Sequence, residues 1–443
     1  MASSRGDIDE TRGRKLAIIG QGYVGLPVAM RAVEAGFDVV GFDLDKTKIS
    51  GLSAGLSHIE DISHAEVERA LASGRYHPSE SPRDLENFDI AVISVPTPLR
   101  DGVPDISYVE SAAELVGRHV TAGSLVVLES TTYPGTTDEV LCPLLERGSG
   151  LSAGSDFLVG YSPERIDPGN EVWGFRETPK VVAGIDPASL RAVSAFFSHL
   201  VDTVVEVSGT KEAELTKLLE NTFRHVNIAL VNEMAIHARA LDIDIWEVIS
   251  AASTKPFGFM PFHPGPGVGG HCLPVDPSFL SWRFERRLGV VSRFIKIADD
   301  VNNNMPNYVA RRIQGGLNKR RKAVNGSIVL VLGLAYKRNS GDARETPATP
   351  LILELLRLGA DVWVHDPYVS DFELADQVTT VDLTDETIAA ADVVVLVTDH
   401  ESFDYELIAA NAGYLFDTRN RLGSVSSTGP IGSALADDVL ETL

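Results

Sequence analysis

Cysteine is scarce in this sequence, since Cys142 and Cys272 are the only two among 443 residues. Two cysteines supply neither a disulfide framework nor a four-cysteine zinc site, which favours a reducing, cytoplasmic compartment. Long apolar runs are also missing, because no segment approaches the roughly 18 uninterrupted residues of a membrane span. The N-terminal segment lacks the apolar core of a signal peptide. We therefore predict a cytoplasmic protein without a membrane partner.

Positive charge is in short supply, with 39 basic against 62 acidic side chains and a formal net charge of -23. Such a surface repels polyanions, so nucleic acid is not expected as a partner. The basic run Lys319-Arg320-Arg321-Lys322 lies just before a predicted strand. A solvated linker explains this run better than a nucleic-acid patch does.

The first part of the chain has the pattern of alternating strands and helices. Residues 15–20 predict a buried strand, residues 24–35 a helix that Gly36 ends, and residues 38–43 a second strand. Further apolar runs continue a doubly wound sheet to about residue 205; they are residues 90–95, 124–128 and 157–160.

One long helix is predicted next, because no Gly or Pro interrupts residues 211–241. An apolar stripe follows one face of it, formed by Leu215, Leu219, Thr222, Val226 and Leu230. Opposite lie Lys217, Asn221, Arg224 and Ile228. We expect the stripe to face the core and the second set to face away from it. A helix of this length bridges domains or pairs with a second subunit.

The remainder repeats the α/β rhythm after a loop rich in Pro and Gly at residues 256–277. A helical stretch at 299–317 is followed by predicted strands at 327–333, 361–365, 392–397 and 414–417 and a helix at 347–358. The predicted fold class is α/β, with two Rossmann-like doubly wound domains joined by a long central helix. The expected divisions are a tail at 1–14, a cofactor-binding domain at 15–205, a central helical domain at 206–317 and a C-terminal Rossmann-like domain at 318–443.

A glycine motif follows the first strand and opens the first helix: Gly20-Gln21-Gly22-Tyr23-Val24-Gly25. In a dinucleotide site these glycines allow a tight turn, close approach of a pyrophosphate and helix packing on the sheet. Asp43 ends the second strand and is placed to accept hydrogen bonds from ribose hydroxyls. Because no arginine follows Asp43 directly, the pattern favours NAD over NADP. A purely structural glycine turn is the alternative.

Polar residues follow the later strands, where the carboxyl ends of a parallel sheet form a ligand crevice. Thr97 lies in Val-Pro-Thr-Pro, Ser130 and Thr131 in Glu-Ser-Thr-Thr, and Glu164 in Ser-Pro-Glu-Arg. These are fair ligand contacts, although ordinary turns and a surface carboxylate explain them too. Lys217 and Asn221 project together one helical turn apart, with a solvated face as the alternative.

The second cysteine lies in Gly269-Gly270-His271-Cys272-Leu273-Pro274-Val275-Asp276. A thiol on such a glycine-rich backbone is suited to presentation, although an isolated cysteine is more often a small buried hydrophobe. His263, His271 and Cys272 do not have the spacing of a known ligand set, so we predict no metal site.

Taken in order, these motifs resemble the UDP-glucose/GDP-mannose dehydrogenase family, as do Gly333-Leu-Ala-Tyr336-Lys337 and Arg344-Glu345. The resemblance spans residues 15 to about 420. The segments 223–233 and 255–267 are most similar to UDP-N-acetylglucosamine 6-dehydrogenases; UDP-N-acetylmannosamine dehydrogenases are close and UDP-glucose dehydrogenases more distant. It implies four-electron oxidation of a sugar C6 alcohol to a carboxylate with two NAD⁺, for surface polysaccharide precursors.

The resemblance also implies roles for individual residues. Cys272 is the nucleophile that carries the aldehyde through a thiohemiacetal to a thioester. Lys217 and Asn221 stabilise oxyanions, and Asp276 assists proton transfer with Lys217 or a water. Glu164 and Thr131 orient the water that hydrolyses the thioester. UDP-glucose dehydrogenases have a second glutamate where this chain has Pro168. Activation of the water is therefore expected to depend on Glu164 alone, with Asp167 as the alternative carboxylate.

Binding residues follow from the same resemblance. The cofactor contacts are Gly20, Gly22, Tyr23, Val24, Gly25, Asp43, Lys48, Thr97, Ser130, Thr131 and Arg344. The UDP-sugar contacts are Glu164, Arg165, Lys217, Asn221, Arg224, Phe257, Gly267, Gly269, Tyr336, Lys337 and Arg419.

A homodimer or higher homo-oligomer is expected from the long helix. Two rivals remain open, namely a one-hydride β-hydroxyacid dehydrogenase-like enzyme with an incidental Cys272 and a non-catalytic NAD-binding protein.

Overall fold

The computed structural model describes residues 14–59, 61–167, 170, 172–270, 273–426 and 439–443. Cys272, His271 and Pro168 lie outside the described residues, as does almost all of the predicted N-terminal tail. The chain forms two compact units. Unit 1 comprises Met1–Glu220 and Ser278–Val290, and unit 2 comprises Asn221–Pro277 and Val291–Leu443.

Strands and helices alternate along most of the chain. The strands are β1 Lys15–Ile19, β2 Asp38–Phe42, β3 Tyr76–Ser79, β4 Ile90–Ile93, β5 Leu99–Arg100, β6 Val103–Pro104, β7 Leu125–Leu128, β8 Leu158–Tyr161, β9 Lys180–Gly184, β10 Val204–Glu206, β11 Ile328–Leu332, β12 Asp361–His365, β13 Thr379–Thr380, β14 Val393–Leu396, β15 Leu415–Asp417 and β16 Leu440–Thr442. The helices are α1 Gly25–Glu34, α2 Lys46–Ser53, α3 His64–Ala72, α4 Ser107–Gly117, α5 Cys142–Ser149, α6 Pro187–Ser198, α7 Thr210–Ala240, α8 Ile245–Ser253, α9 Asp276–Leu288, α10 Arg293–Lys319, α11 Ala348–Arg357, α12 Asp385–Ala390, α13 Tyr405–Asn411 and α14 Arg421–Ser426. Short turns of 3₁₀ and π helix occupy Pro82–Leu85 and Thr137–Leu141.

Unit 1 contains an eight-stranded sheet in the order β10-β9-β8-β7-β4-β1-β2-β3. Its neighbouring strands are parallel except at β8 and β9, which run antiparallel. Unit 2 contains a six-stranded parallel sheet in the order β13-β12-β11-β14-β15-β16. The predicted fold class is therefore confirmed, whereas the reversal at β9 was not foreseen.

The central strands are apolar on both faces because helices cover both sides of each sheet. In β1, Leu16 and Ile18 join one core cluster while Ala17 and Ile19 join the other. The strand β11 divides in the same way between two clusters of unit 2. Uninterrupted apolar runs are therefore the correct sequence signal for these strands.

Helix α7 has nearly the predicted length, but the prediction of its buried face is wrong. Leu219 and Leu230 of the apolar stripe are 61% and 55% exposed, and Leu215 is exposed as well. The buried face combines apolar side chains such as Leu218 and Val231 with four polar ones, namely Glu214, Lys217, His225 and Asn232. Specific hydrogen-bond partners satisfy polar groups such as Glu214 and Asn232 in the interior, so amphipathicity alone misassigned the faces.

Within the part of the chain that the structure describes, no helix is both long enough and apolar enough to cross a bilayer.

Candidate functional site

The glycine motif forms the tight turn between β1 and α1. A Cβ on Gly20, whose φ is +98°, would lie 2.4 Å from the Ser94 carbonyl oxygen, and one on Gly25 would lie 1.9 Å from the Gly20 carbonyl oxygen. Side chains are therefore excluded at both positions. A Cβ on Gly22 would have no neighbour within 4 Å. This open space beside the start of α1 fits the approach of a pyrophosphate.

Asp43 follows β2 and is oriented by three donors. Its Oδ2 accepts from the Gln21 N–H and the Lys48 Nζ, each at 2.8 Å, and its Oδ1 accepts from the Asp45 N–H at 3.0 Å. Burial alone would raise the pKa of Asp43, but these hydrogen bonds outweigh it and lower the pKa. The carboxylate is thus held ionised, as an acceptor for ribose hydroxyls must be. Lys48 acts here as the partner of Asp43.

Gln21 is a supporting residue that sequence reasoning missed. Its side chain is fully buried, where Oε1 accepts from the Tyr76 hydroxyl at 2.7 Å and Nε2 donates to the Ile18 and Gly20 carbonyls. These bonds fix the turn whose N–H holds Asp43. The only signal in the sequence is its position as the second residue of the glycine motif.

Other predicted cofactor contacts lie around this turn and at the ends of β4 and β7. Tyr23 is exposed and Val24 is the N-cap residue of α1. The Ser130 hydroxyl accepts from the Val95 N–H at 2.9 Å and donates to the Val95 carbonyl at 2.8 Å. Ser130 therefore links the ends of the two strands, whereas Thr97 is buried and Thr131 half-buried.

Glu164 lies just beyond β8 in a buried cluster of charges. Its Oε1 accepts from the N–H groups of Arg165 at 2.6 Å and Ile166 at 2.7 Å, and its Oε2 accepts from Lys180 Nζ at 2.7 Å. Lys180 also donates to Glu129 Oε1 at 2.5 Å. The surface-carboxylate alternative is therefore wrong, because Glu164 is buried and both of its oxygens accept hydrogen bonds from the protein.

The two carboxyl groups of this cluster differ in their protonation. Burial by itself raises the pKa of Glu164, but the Lys180 ammonium and the Ile166 N–H outweigh it, so the pKa is lowered. Burial, together with the neighbouring Glu164 carboxylate, raises the pKa of Glu129 to about 7, although Lys180 opposes the shift. The physical difference is that Glu129 lacks the backbone donors that Glu164 has.

Arg165 uses its guanidinium within unit 1. Its Nη2 donates to Glu220 Oε1 at 2.7 Å and its Nη1 to the Pro179 carbonyl at 2.6 Å. It thereby fixes the segment that follows Glu164 to α7. A direct contact between Arg165 and the substrate stays a prediction.

Lys217 and Asn221 occupy successive turns of α7. Lys217 is buried, which removes the solvated-face interpretation for it. Asn221 is half-buried and its Nδ2 donates to Asp276 Oδ2 at 2.5 Å. Asp276 is itself buried at the first position of α9, where a helix N-terminus favours a negative charge. Asn221 and Asp276, which are both predicted to be catalytic, are therefore hydrogen-bonded to each other.

The glycine-rich segment before Cys272 packs against Tyr336. A Cβ on Gly269 would lie 2.8 Å from Tyr336 Cβ, and one on Gly270, whose φ is +86°, would lie 2.7 Å from the Tyr336 ring. Glycine is thus required for this close packing of two predicted substrate-binding elements. Gly267, with φ at +138°, lies beside Pro347, whereas Arg224 and Phe257 are exposed.

The remaining predicted binding residues lie in the C-terminal part of unit 2. Arg419 Nε donates to the Val397 carbonyl at 2.7 Å, and burial lowers the pKa of its guanidinium. Lys337 is half-buried, and Arg344 pairs with Asp342 through Nε and Nη2 at 2.8 and 2.6 Å. A fixed guanidinium and an ammonium on one domain suit a diphosphate.

Cys142 is a packing residue rather than a nucleophile. It is buried, and burial together with nearby Asp138 and Glu146 raises the pKa of its thiol to about 12. Among the described residues, no three His, Cys, Asp or Glu side chains converge as metal ligands would.

Family models match most of the chain. The NAD binding domain of the UDP-glucose/GDP-mannose dehydrogenase family matches residues 14–201, its central domain residues 211–304 and its UDP binding domain residues 330–424.

Individual relatives agree with these matches. Protein CapL of Staphylococcus aureus is 38% identical over 93% of this chain and 97% of its own length. A UDP-N-acetyl-D-glucosamine 6-dehydrogenase of Pseudomonas aeruginosa is 35% identical over 88% and 91%. The solved structure of a UDP-D-ManNAc dehydrogenase from Pyrococcus horikoshii has a TM-score of 0.84 and 33% identity, covering 92% of this chain and 95% of that one.

The fold and the sites thus define an NAD-dependent oxidoreductase that acts on UDP-sugars. The chain belongs to the UDP-glucose/GDP-mannose dehydrogenase family. Its activity, before the particular sugar is considered, is the 6-dehydrogenation of UDP-sugars.

Proposed function

We propose that this protein oxidises UDP-N-acetylglucosamine at C6 to UDP-N-acetylglucosaminuronate, with two NAD⁺ reduced per sugar. The observation that carries the four-electron reaction is the Gly269-to-Asp276 element, in which Asp276 is buried and bound by Asn221. Oxidation of the alcohol to the acid requires a second two-electron step after the aldehyde has formed. The thiol of Cys272 makes that second step possible, because it adds to the aldehyde. The product is suited to surface polysaccharide synthesis.

Cofactor binding is assigned to the turn between β1 and α1. Gly22 leaves room for the pyrophosphate, and the ionised Asp43 accepts the ribose hydroxyls. Bound NAD⁺ supplies the hydride acceptor for both oxidations. Thr97 and Thr131 follow the neighbouring strands β4 and β7 of the same sheet, and we assign them as further cofactor contacts.

Covalent chemistry is assigned to Cys272. After the C6 alcohol has passed its first hydride to NAD⁺ and its hydroxyl proton to a water assisted by Asp276 and Lys217, the thiolate adds to the aldehyde carbon and forms the thiohemiacetal oxyanion. Loss of a second hydride from that carbon leaves a thioester. Lys217 and the Asn221 amide stabilise the oxyanions of these species, and Asp276 orients Asn221 through their 2.5 Å hydrogen bond.

Hydrolysis of the thioester is assigned to Glu164 and Thr131. Water attacks the thioester carbonyl carbon, the C–S bond breaks, and the sulfur leaves as thiolate. The proton lost by the water passes to Glu164, whose Oε2 keeps one lone pair beside its bond to Lys180.

The choice of sugar rests on the relatives. The 35% identity to a UDP-N-acetyl-D-glucosamine 6-dehydrogenase supports UDP-N-acetylglucosamine, as do segments 223–233 and 255–267. The second candidate is UDP-N-acetylmannosamine, which is favoured by the 34% identity to the Pyrococcus horikoshii UDP-N-acetyl-D-mannosamine dehydrogenase. UDP-glucose is a more distant possibility.

A substrate panel tests the proposal. NADH formation is followed with UDP-N-acetylglucosamine, UDP-N-acetylmannosamine, UDP-N-acetylgalactosamine and UDP-glucose, each limiting in turn. We expect two NADH per UDP-N-acetylglucosamine, and loss of acid product in Cys272→Ser with NAD binding retained. The matched control Cys142→Ser keeps the activity.

Three results would contradict it. One NADH per sugar indicates the single-hydride rival. A preference for UDP-N-acetylmannosamine selects the second candidate, and activity on UDP-glucose alone refutes the assignment to N-acetylhexosamines.

We further propose a homodimer or higher homo-oligomer built on α7. Its exposed stripe comprises Leu215, Leu219, Phe223, Leu230 and Met234, all on one face of the helix. A second copy of the same stripe is a self-complementary partner, as in an isologous interface.

The domain limits 15–205, 206–317 and 318–443 remain our proposal for the functional division of the chain.

A further inference from the structure

We propose that Lys180 is a positioning residue for thioester hydrolysis, holding the Glu164 carboxylate in place with Glu129 as its second anchor. The inference rests on the proposed function, because it assigns Lys180 a role through Glu164. It arises from a cluster of charges buried in unit 1, in which Lys180 and Glu129 are 3% and 1% exposed.

Sheet topology brings Lys180 to this place. The strand β9 runs antiparallel to β8, with Gly160 opposite Gly184 and Tyr161 opposite Ala183. If this register continues beyond β8, Glu164 falls opposite Lys180, the first residue of β9. In a fully parallel sheet the start of β9 would lie at the other edge. The reversal thus delivers an ammonium to the carboxyl ends of β7 and β8.

The hydrogen bonds around Glu164 leave one defined direction for a water. Oε1 accepts two backbone N–H groups, which use both of its lone pairs, while Oε2 accepts only from Lys180. One lone pair on Oε2 remains for a water when Glu129 is ionised, because a protonated Glu129 would hydrogen-bond to Glu164. The backbone N–H groups therefore leave Oε2 as the oxygen that receives the water proton, and Lys180 sets the direction from which the water approaches it.

Two carboxylates share the one ammonium, so the cluster carries an excess negative charge when both are ionised. Glu129 Oε2 is buried and accepts no hydrogen bond among the described residues, while the Glu129 carboxyl lies within hydrogen-bonding reach of the Glu164 carboxylate, which raises the pKa of Glu129. The rings of Phe175 and Phe197 lie 5.2 and 5.3 Å from Lys180 Nζ and keep water from it. Lys217 is the other cation that acts on Glu164. The charge of Glu129 therefore affects the basicity of Glu164, because both carboxyl groups bind the same ammonium group.

The test compares Lys180→Met with Lys211→Met, which removes an exposed lysine near the start of α7. For Lys180→Met we expect kcat to fall about 100-fold or more, within the range for loss of a general base. A rapid burst of two NADH per subunit remains, the sugar acyl group accumulates on the protein by intact mass, and the KM for NAD is unchanged. Lys211→Met behaves as the parent.

A second pair of variants guards against misfolding, because Lys180→Met leaves two buried carboxylates without their cation. Lys180→Met/Glu129→Gln removes one charge of each sign and is expected to show the same burst and the same trapped acyl group. Glu129→Gln alone keeps the Lys180 bond to Glu164. Burial and the neighbouring Glu164 carboxylate raise the pKa of Glu129. Ionisation of Glu129 as the pH rises should therefore increase the basicity of Glu164 and the rate of hydrolysis in the parent, and this rise is absent in Glu129→Gln.

A kcat within threefold of the parent in both Lys180 variants overturns the proposal. So does loss of the NADH burst together with turnover in the folded double variant, because hydride transfer would then be the affected step. An identical pH profile in Glu129→Gln also contradicts it. Failure of the proposed function is recognised separately, since the parent would then not yield two NADH from any UDP-sugar.

Discussion

At the scale of single residues, the best-defined ligand group is Asp43. Three donors hold its carboxylate ionised and aimed, and one of them is the N–H of Gln21 within the glycine motif. Sequence spacing predicted Asp43 and the three glycines, because a dinucleotide site uses fixed offsets. Gln21 and Lys180 were not predicted, since their partners are distant in sequence.

Replacing Asp43 with alanine tests the cofactor site. Loss of charge-assisted hydrogen bonds to the ribose costs about 1.5–3 kcal/mol, so the KM for NAD should rise roughly 10- to 100-fold. We expect kcat at saturating NAD to change little. Initial rates of NADH formation measure both, with Glu34→Ala, an exposed acid on α1, as the control. An unchanged KM would place the ribose elsewhere.

At the scale of elements, α7 shows how a helix can be predicted in length and misassigned in orientation. The uninterrupted run without Gly or Pro predicted where the helix begins and ends. Which side of the helix faces the interior is decided by the hydrogen-bond partners that its side chains meet there. Glu214 is fully buried there and accepts from the N–H groups of Gly135 and Thr137 at 2.5 and 2.8 Å, and from the Thr137 hydroxyl at 2.7 Å. It joins the helix to the segment that follows Thr131.

The variant Glu214→Ala should destabilise the protein, because three buried donors lose their acceptor. The expected cost is about 2–4 kcal/mol, which lowers the thermal midpoint of unfolding by roughly 4–16 °C. Differential scanning calorimetry measures it, with the exposed Glu233→Ala on the same helix as control. Equal midpoints for the two variants would mean that water replaces Glu214 without cost.

At the scale of the whole molecule, the exposed stripe of α7 predicts self-association. Leu219→Glu/Leu230→Glu places charges in the apolar face of that stripe, where burying them against a second copy is unfavourable. We expect light scattering to give a multiple of the 47.7 kDa subunit for the parent and 47.7 kDa for the variant. The control Leu353→Glu changes an exposed leucine of α11 and should keep the parent mass. A monomeric parent would refute the interface.

The sequence by itself determined the central strands of both sheets, the long helix, the glycine turn with Asp43, and the family, but not the outer strands such as β3, β9 and β10. These features depend on local periodicity and fixed spacing, which neighbouring residues along the chain specify. Only the tertiary structure decided that β9 reverses, that Lys180 thereby meets Glu164 and Glu129, and that polar side chains such as Glu214 lie on the buried face of α7. The physical reason is that a buried charge is tolerated only where partners meet it, and those partners lie about 16 to 80 residues away in sequence.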